Sequence, residues 1–433
     1  MHLVSFLPVL CGWLAFPLVL ATVPILNNDV TPDLVVPNRY IVKYKDAVAD
    51  KGPVQARHER AVHRASRAGG SMRGILDTFA LPGLRGYIVE ISPSELGNLV
   101  ESDLLEYIEK DTITTTAAIT PTDRHSQHRM MTQYDAPRGL VRLSHRSAHT
   151  TSNEYHYAAT AGLNIPIYVL DSGIRITHSE FHQSPNPNTQ GSSTSRARWG
   201  ANFIPSSPDT DEDGHGTHVA GIIAGTTYGV AKHAHVIAVK VLDGTGSGSM
   251  SGVLQGLDWA VKDARDKGVM RRAVVNLSLA GVYTQSVNDA VQAAVDQGMT
   301  VVCAAGNTGE DAGGYSPGSA AGAITVGAVN GTGTVGEGGE NRRATFSNWG
   351  GAVDIFAEGV AVLSSGAQSD THVKYMSGTS MAAPHVAGLA AYFIVEEGLE
   401  GEKVKARVLA VAGKGVQDRK GGADRVAYNG DGL

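Results

Sequence analysis

Cysteine is nearly absent from this chain. Its 433 residues include two, Cys11 and Cys303. Cys11 lies in an N-terminal apolar run, so a chain that sheds that run keeps one thiol and has no internal disulfide. Cys303, in "MTVVCAAG", is expected as a buried strand residue, because an unpaired cysteine usually behaves as a small core hydrophobe. Charge is scarce as well: Asp, Glu, Lys and Arg make up 18 % of residues and the net charge is −6. Without a basic excess, nucleic acid is not expected as a partner. Beyond the N-terminus no apolar run is long enough to cross a bilayer. The first two dozen residues, "MHLVSFLPVLCGWLAFPLVLATVP", contain no charged side chain at all. That leaves a secretion signal without its usual basic start, yet Val19 and Ala21 are small residues suited to a cut. Pro8, Gly12 and Pro17 interrupt the run and no basic cluster follows it, which argues against a stable membrane anchor. Residues 1–21 are therefore expected to be a signal peptide, and the protein secreted.

What is abundant is glycine, with 52 residues, against an apolar fraction of 42 % that is ordinary for a globular chain. Residues 38–44 "NRYIVKY", 85–92 "RGYIVEIS" and 105–111 "LEYIEKD" read as strands. Helical patterns at 53–66 and 94–102 separate them, giving a small α+β unit. A polar stretch at 123–140, rich in basic groups, has the composition of an exposed linker open to cleavage. After about residue 160 the texture changes to apolar runs at 165–171, 235–242, 273–279, 299–306 and 323–329. Helical spacing of Val253, Leu254, Leu257, Val261 and Ala264 falls between two of them, closed by Gly268. Ser286 with Asp289 forms an apparent capping box ahead of Ala290, Val291, Ala294 and Val295, with Gly298 as the stop. Strands alternating with helices predict an α/β architecture, a parallel sheet covered on both faces. Ligands then belong at the carboxyl ends of the strands.

The chemistry-bearing residues are found there. "YVLDSGI" puts Asp171 at a strand tip, and "DEDGHGTHVAGIIAG" puts His215 at a helix start. "VVCAAGN" ends a strand with Asn307, and "SGTSMAAPHVAG" places Ser380 where an apolar helix begins. Singly, each has a plain reading: a turn aspartate, an asparagine in a left-handed loop, a serine N-cap. Together they are what acyl transfer needs, namely a hydroxyl nucleophile, an imidazole base, a carboxylate to orient it and a carboxamide for the oxyanion. The "HGTH" string lacks the glutamate and the spacing of a zinc-protease helix, and "DGTGSGSMSG" (243–252) lacks the Gly-Lys-Ser/Thr ending of a phosphate loop.

On the strength of "VLDSGI", "GHGTHVAGIIAG" and "SGTSMAAPHVAG", in that order, the chain resembles the subtilisin-like serine proteases, most closely their secreted proteinase K-like branch. The resemblance runs from "QYDAPRGL" (133–140) to "VAYNG" (426–430). It implies a catalytic triad of Asp171, His215 and Ser380, with Asn307 as oxyanion donor, acting on protein and peptide substrates with no catalytic cofactor. It implies that residues 22–130 are an inhibitory propeptide, the chain's own intramolecular partner, and that 131–433 form the peptidase domain, a monomer starting near Met131. Gly246, Ser247 and Gly248 correspond to one wall of the substrate cleft, where the family pairs with substrate backbone as an added strand. Ser278, Leu279 and Ala280 correspond to the other, with Ala280 where the family usually has glycine. Val219 replaces a cysteine found in those relatives, and 329–343 look like a Gly-rich insertion with an N-glycosylation triplet at Asn330. A structural calcium ion is implied at Asp354 and the carbonyls of Ala321 and Ala323. His385 is expected to be structural. The rival class, a silent relative that uses the fold for binding, would be marked by a missing triad member, and none is missing.

Overall fold

The structure is a computed structural model, described here for residues 22–49, 52–68, 73–116, 132–146, 152–183, 194–331 and 341–430. The signal-peptide expectation at 1–21, the cut near Met131 and most of the 329–343 insertion lie outside these residues.

The N-terminal unit contains β1 (Val35–Tyr44), α1 (Gly52–Ala68), β2 (Gly74–Leu81), β3 (Leu84–Glu90), α2 (Pro93–Leu99) and β4 (Leu105–Thr116). Its sheet is antiparallel in the order β4-β1-β3-β2. The strand β2 was not expected, because Asp77 and Thr78 interrupt its apolar pattern and the pairing with β3 slips between Ile75 and Asp77. Gly83, at φ +73°, makes the tight turn between the two strands. On one face of this sheet Tyr40, Val42, Tyr87, Val89 and Ile108 form the unit's own small core. On the other face Ile41, Phe79, Leu81, Leu84 and Ile88 pack into the larger second unit.

That second unit is built on β5 (Pro166–Asp171), β6 (Ala197–Asn202), α3 (His215–Ala224), β7 (His235–Lys240), β8 (Ser247–Ser249), α4 (Met250–Asp266), β9 (Val274–Leu277), β10 (Leu279–Val282), α5 (Gln285–Asp296), β11 (Thr300–Ala304), β12 (Ile324–Asn330), β13 (Ile355–Glu358), α6 (Thr379–Glu396) and α7 (Glu402–Val411). The strands β6-β7-β5-β9-β11-β12-β13 pair in parallel in that order. Side chains alternate between the two faces as strand geometry requires. Ile167 and Val169 of β5 enter the core shared with α3 and α6, whereas Tyr168 and Leu170 enter the one shared with α4 and α5. The order reverses around β5, so the chain crosses from one side of the sheet to the other at the tip that carries Asp171. The run expected as one strand over 273–279 is broken at Ser278. Beyond it β10 leaves the parallel sheet and pairs antiparallel with β4.

The helix α6 is apolar all round and buried from Thr379 to Ile394, as befits a helix enclosed by the core. The helix α5 starts at Gln285 after Thr284, and no side-chain cap comes from Thr284. The expected Ser286–Asp289 box is absent because both partners are engaged elsewhere. Asp289 accepts from Gln285 Nε2 at 2.6 Å and Tyr107 OH at 3.1 Å. The backbone N–H of Ser286 donates to Glu109 of the N-terminal unit at 2.9 Å.

Candidate active site

Asp171 ends β5 fully buried, and its Oδ1 accepts from the Ser172 backbone N–H at 2.8 Å. The same oxygen lies 2.7 Å from Nδ1 of His215, the first residue of α3. Burial pulls the His215 pKa down, but the Asp171 carboxylate, with help from Asp213 and Asp211, outweighs it and the group titrates above an ordinary histidine. Its Nε2 is buried and has no hydrogen-bond partner among the described residues. Gly214, at φ +88°, turns the chain into α3, and a Cβ on Gly216 would meet the Gly173 carbonyl at 2.1 Å. Only glycine lets α3 approach the Asp171 turn so closely.

Two residues that sequence reasoning passed over hold this corner together. Asp211 is buried and accepts from Gly214 N at 2.8 Å, Thr217 N at 2.8 Å, Thr217 Oγ1 at 2.6 Å and Ser172 Oγ at 2.8 Å. It thus caps α3 and ties it to the Asp171 turn, while burial raises its pKa against those bonds. An acidic residue four positions before a helix-starting histidine was a readable sign of a cap. Lys240, fully buried at the end of β7, donates to Ser172 O at 2.5 Å, Thr210 O at 3.2 Å and Glu212 Oε2 at 2.7 Å. Nothing local in the sequence marks that role.

Ser380 is the second residue of α6, so its N–H has no intrahelical acceptor. Its Oγ donates to Ser278 O at 2.8 Å, and Ser278 Oγ donates back to Ser380 O at 2.9 Å. The second bond follows from Pro384, which lacks the N–H that would otherwise bond the Ser380 carbonyl. Asn276 Nδ2 donates to Ser278 Oγ at 2.9 Å and extends the chain of bonds below the hydroxyl. Asn307 follows β11. Its Oδ1 accepts from Thr379 N and Thr379 Oγ1, both at 2.9 Å. This fixes the amide with Nδ2 turned away from Thr379, buried and without a partner among the described residues. Asp171, His215, Asn307 and Ser380 thus all stand at the carboxyl ends of strands or at the helix starts beside them. In this structure the Ser380 hydroxyl is turned to Ser278 rather than to His215, an arrangement common before substrate tightens a site.

The two other histidines of these motifs are structural in their contacts. His218 Nε2 lies 3.1 Å from Val362 O and 3.0 Å from Lys374 O, and burial pushes its pKa down to about 3. His385 Nδ1 lies 2.8 Å from Met381 O, and burial takes its pKa down to about 4. Val219 and Cys303 are fully buried.

The end of β4 runs between β8 and β10. Ser247, Gly248 and Ser249 pair antiparallel with Thr115, Thr114 and Ile113. Leu279, Ala280 and Gly281 pair with Thr116, Thr115 and Thr114. Gly246, at φ +73°, sets the turn into β8, and a Cβ on Gly248 would strike Val241 O at 2.2 Å. Thr116 therefore ends opposite Leu279, the neighbour of Ser278, whose carbonyl accepts the Ser380 hydroxyl. Upstream on β4, Glu109 takes the N–H groups of Gln285 at 2.7 Å and Ser286 at 2.9 Å, together with the Ser286 hydroxyl. Asp111 takes Ser251 N at 2.9 Å and Ser251 Oγ at 2.5 Å. Two carboxylates of the N-terminal unit thus sit on the N-termini of α5 and α4, where helix dipoles favour negative charge.

The oxygens expected around calcium face a side chain. Lys405 Nζ donates to Ala321 O at 3.0 Å and to Ala323 O, and lies 3.1 Å from Asp354 Oδ2.

Comparison with known proteins adds the following. Residues 162–427 match the subtilase family. The chain is 42 % identical over 396 residues to Subtilisin-like protease 2 of Pseudogymnoascus destructans, covering 91 % of this chain and 90 % of that one. It is 39 % identical over 404 residues to a cuticle-degrading serine protease of Arthrobotrys oligospora, with 91 % and 90 % covered. The crystal structure of a cold-adapted subtilisin-like serine proteinase superposes with a TM-score of 0.59 at 34 % identity, covering 68 % of this chain and 98 % of that one.

Proposed function

The chain belongs to the subtilase family and is a serine endopeptidase, and from that premise we propose that it is secreted as a self-processing zymogen whose hydrolysis runs through Ser380, His215 and Asp171. Ser380 Oγ attacks the scissile carbonyl carbon and its proton passes to His215 Nε2. The tetrahedral oxyanion takes hydrogen bonds from Asn307 Nδ2 and Ser380 N–H. The C–N bond breaks as His215 protonates the leaving amine, and water repeats the sequence on the acyl-enzyme. Asp171 holds the imidazole through Nδ1 and stabilises its cation. The observation that carries this reading is the unpaired, buried Nε2 of His215 and Nδ2 of Asn307, each held from its other end by Asp171 or Thr379.

Residues 22–130 act as the inhibitor. Supporting this, β4 lies in the cleft as an added strand on both walls, the mode by which a peptide substrate is held. In support, a solved relative covered almost whole accounts for 68 % of this chain, while a curated relative accounts for 91 %. Secretion rests on the apolar leader, and no helix among the described residues is long and apolar enough to cross a membrane.

The test is intact mass and N-terminal sequencing of secreted wild type beside Ser380→Ala. Wild type should begin near Met131, whereas the variant keeps the N-terminal unit. Equal processing of both would remove Ser380 from the nucleophile's role.

A further inference from the structure

We propose that the ammonium of Lys405 is the resident cation of the site formed by Asp354, Ala321 O and Ala323 O, so that this chain needs no calcium ion there. A lysine ammonium has three donors. Here it meets three acceptors: the carbonyls of Ala321 and Ala323 and Oδ2 of Asp354. The carboxylate is further fixed by the Thr325 backbone N–H at 3.1 Å. The site is therefore balanced in charge from within the chain, with two hydrogen bonds to carbonyls and an ion pair to the carboxylate.

Calcium takes about 6–8 oxygens at roughly 2.3–2.6 Å, water among them. This site offers one carboxylate and two carbonyls, and all three already face the Lys405 ammonium. A calcium ion would have to sit against the ammonium or displace it. Displacement would break its ion pair with Asp354 and its bonds to both carbonyls. Lys405 reaches the site because Gly401, at φ +57°, turns the chain so that the first turn of α7 faces the loop before β12. The ion is replaced by a covalently attached charge, present whatever the calcium concentration.

Thermal melting of the full chain decides this, with Ser380→Ala in every sample to prevent self-digestion, in EDTA and in millimolar calcium chloride. Asp354→Asn should leave the shift between EDTA and calcium as it is in the parent. Lys405→Met should melt lower in EDTA by roughly 2–5 °C, as expected for losing a partly exposed ion pair and stranding its acceptors. A parent stabilised by calcium through a shift that Asp354→Asn erases would overturn the proposal. So would a Lys405→Met protein with the parent's melting temperature in EDTA. Should Lys405→Met fail to fold, the Asp354→Asn arm still decides.

Discussion

Buried carboxylates at two places in this molecule do similar work with opposite consequences. Beneath the catalytic corner, Asp211 caps α3 from four positions ahead of His215 and fastens it to the turn that carries Asp171. At the junction of the two units, Glu109 and Asp111 cap α5 and α4 from 177 and 140 residues away. A cap drawn from the adjoining loop stays wherever the helix goes. A cap drawn from another unit lasts only while that unit is docked. On the proposed mechanism the geometry of proton transfer is built entirely from residues after 160, and the geometry of inhibition is shared. The apolar contacts follow the same division. Ile41, Phe79, Leu81, Leu84 and Ile88 pack into the core of the second unit, and at up to about 1.5–3 kcal/mol each they account for roughly 10 kcal/mol of gross stabilisation. The N-terminal sheet is left with one covered face when it departs.

The sharpest way to break this comparison is to strike the catalytic corner alone. Ser380→Ala should lower turnover by about 10⁶, the size of the loss for the nucleophile of subtilisin, while tight binding of the N-terminal unit persists. Asp171→Asn in the processed enzyme should lower kcat by about 10⁴. In the parent, kcat/KM should rise with pH through a titration above the ordinary histidine range, because Asp171 holds the His215 pKa up. The asparagine variant should shift that limb to lower pH, and an unmoved limb would mean that Asp171 does not govern His215. Asn307→Ala should lower kcat by about 10²–10³ with KM little changed. A rise in KM alone would place Asn307 in substrate binding instead of at the oxyanion.

The same division explains what could be read in the sequence. The parallel sheet was legible because β5, β7 and β11 are unbroken apolar runs and α4 keeps strict helical spacing. The residues of the catalytic corner were legible because each sits in a turn whose glycines and small residues the close approach of α3 and α6 demands, as at Gly216. What could not be read were partners remote in sequence. Ser286 and Asp289 have the letters of a capping box, but Tyr107 and Glu109 claim them from the other unit. Lys405 has no local feature to suggest that it would reach Asp354. The strand β2 escaped because a register slip and two polar residues mask its alternation. Local propensity is written along the chain, whereas pairing across a hundred residues is written only in the fold.

The interface caps should respond more gently, and only in binding. Added to the processed wild-type enzyme as an inhibitor, an N-terminal unit carrying Glu109→Ala or Asp111→Ala should bind about 10–100-fold more weakly each. Each leaves a helix-terminal N–H buried without an acceptor, at roughly 1–3 kcal/mol. Neither should alter kcat of the active enzyme once the unit is gone.

The last effect expected is on pH. Burial pushes the Asp111 carboxyl up to about 6, against the bonds from Ser251 and the Arg39 guanidinium 3.8 Å away. Burial raises Glu109 in the same direction. A carboxyl whose pKa is higher in the docked state takes up a proton on docking. Its contribution is therefore complete below the undocked value near 4 and is lost as pH climbs through about 6. Affinity for the N-terminal unit should fall by roughly 10–100-fold between pH 4 and 7 and level off above that. Asp111→Asn keeps an acceptor for Ser251 N–H but cannot titrate, so it should bind comparably at pH 4 and flatten most of the slope. Should the slope survive in Asp111→Asn, Glu109 carries it, and the two caps differ in kind. A unit that binds more tightly as pH rises would instead mean that both carboxylates dock in their charged form, held by the helix termini strongly enough to outweigh burial.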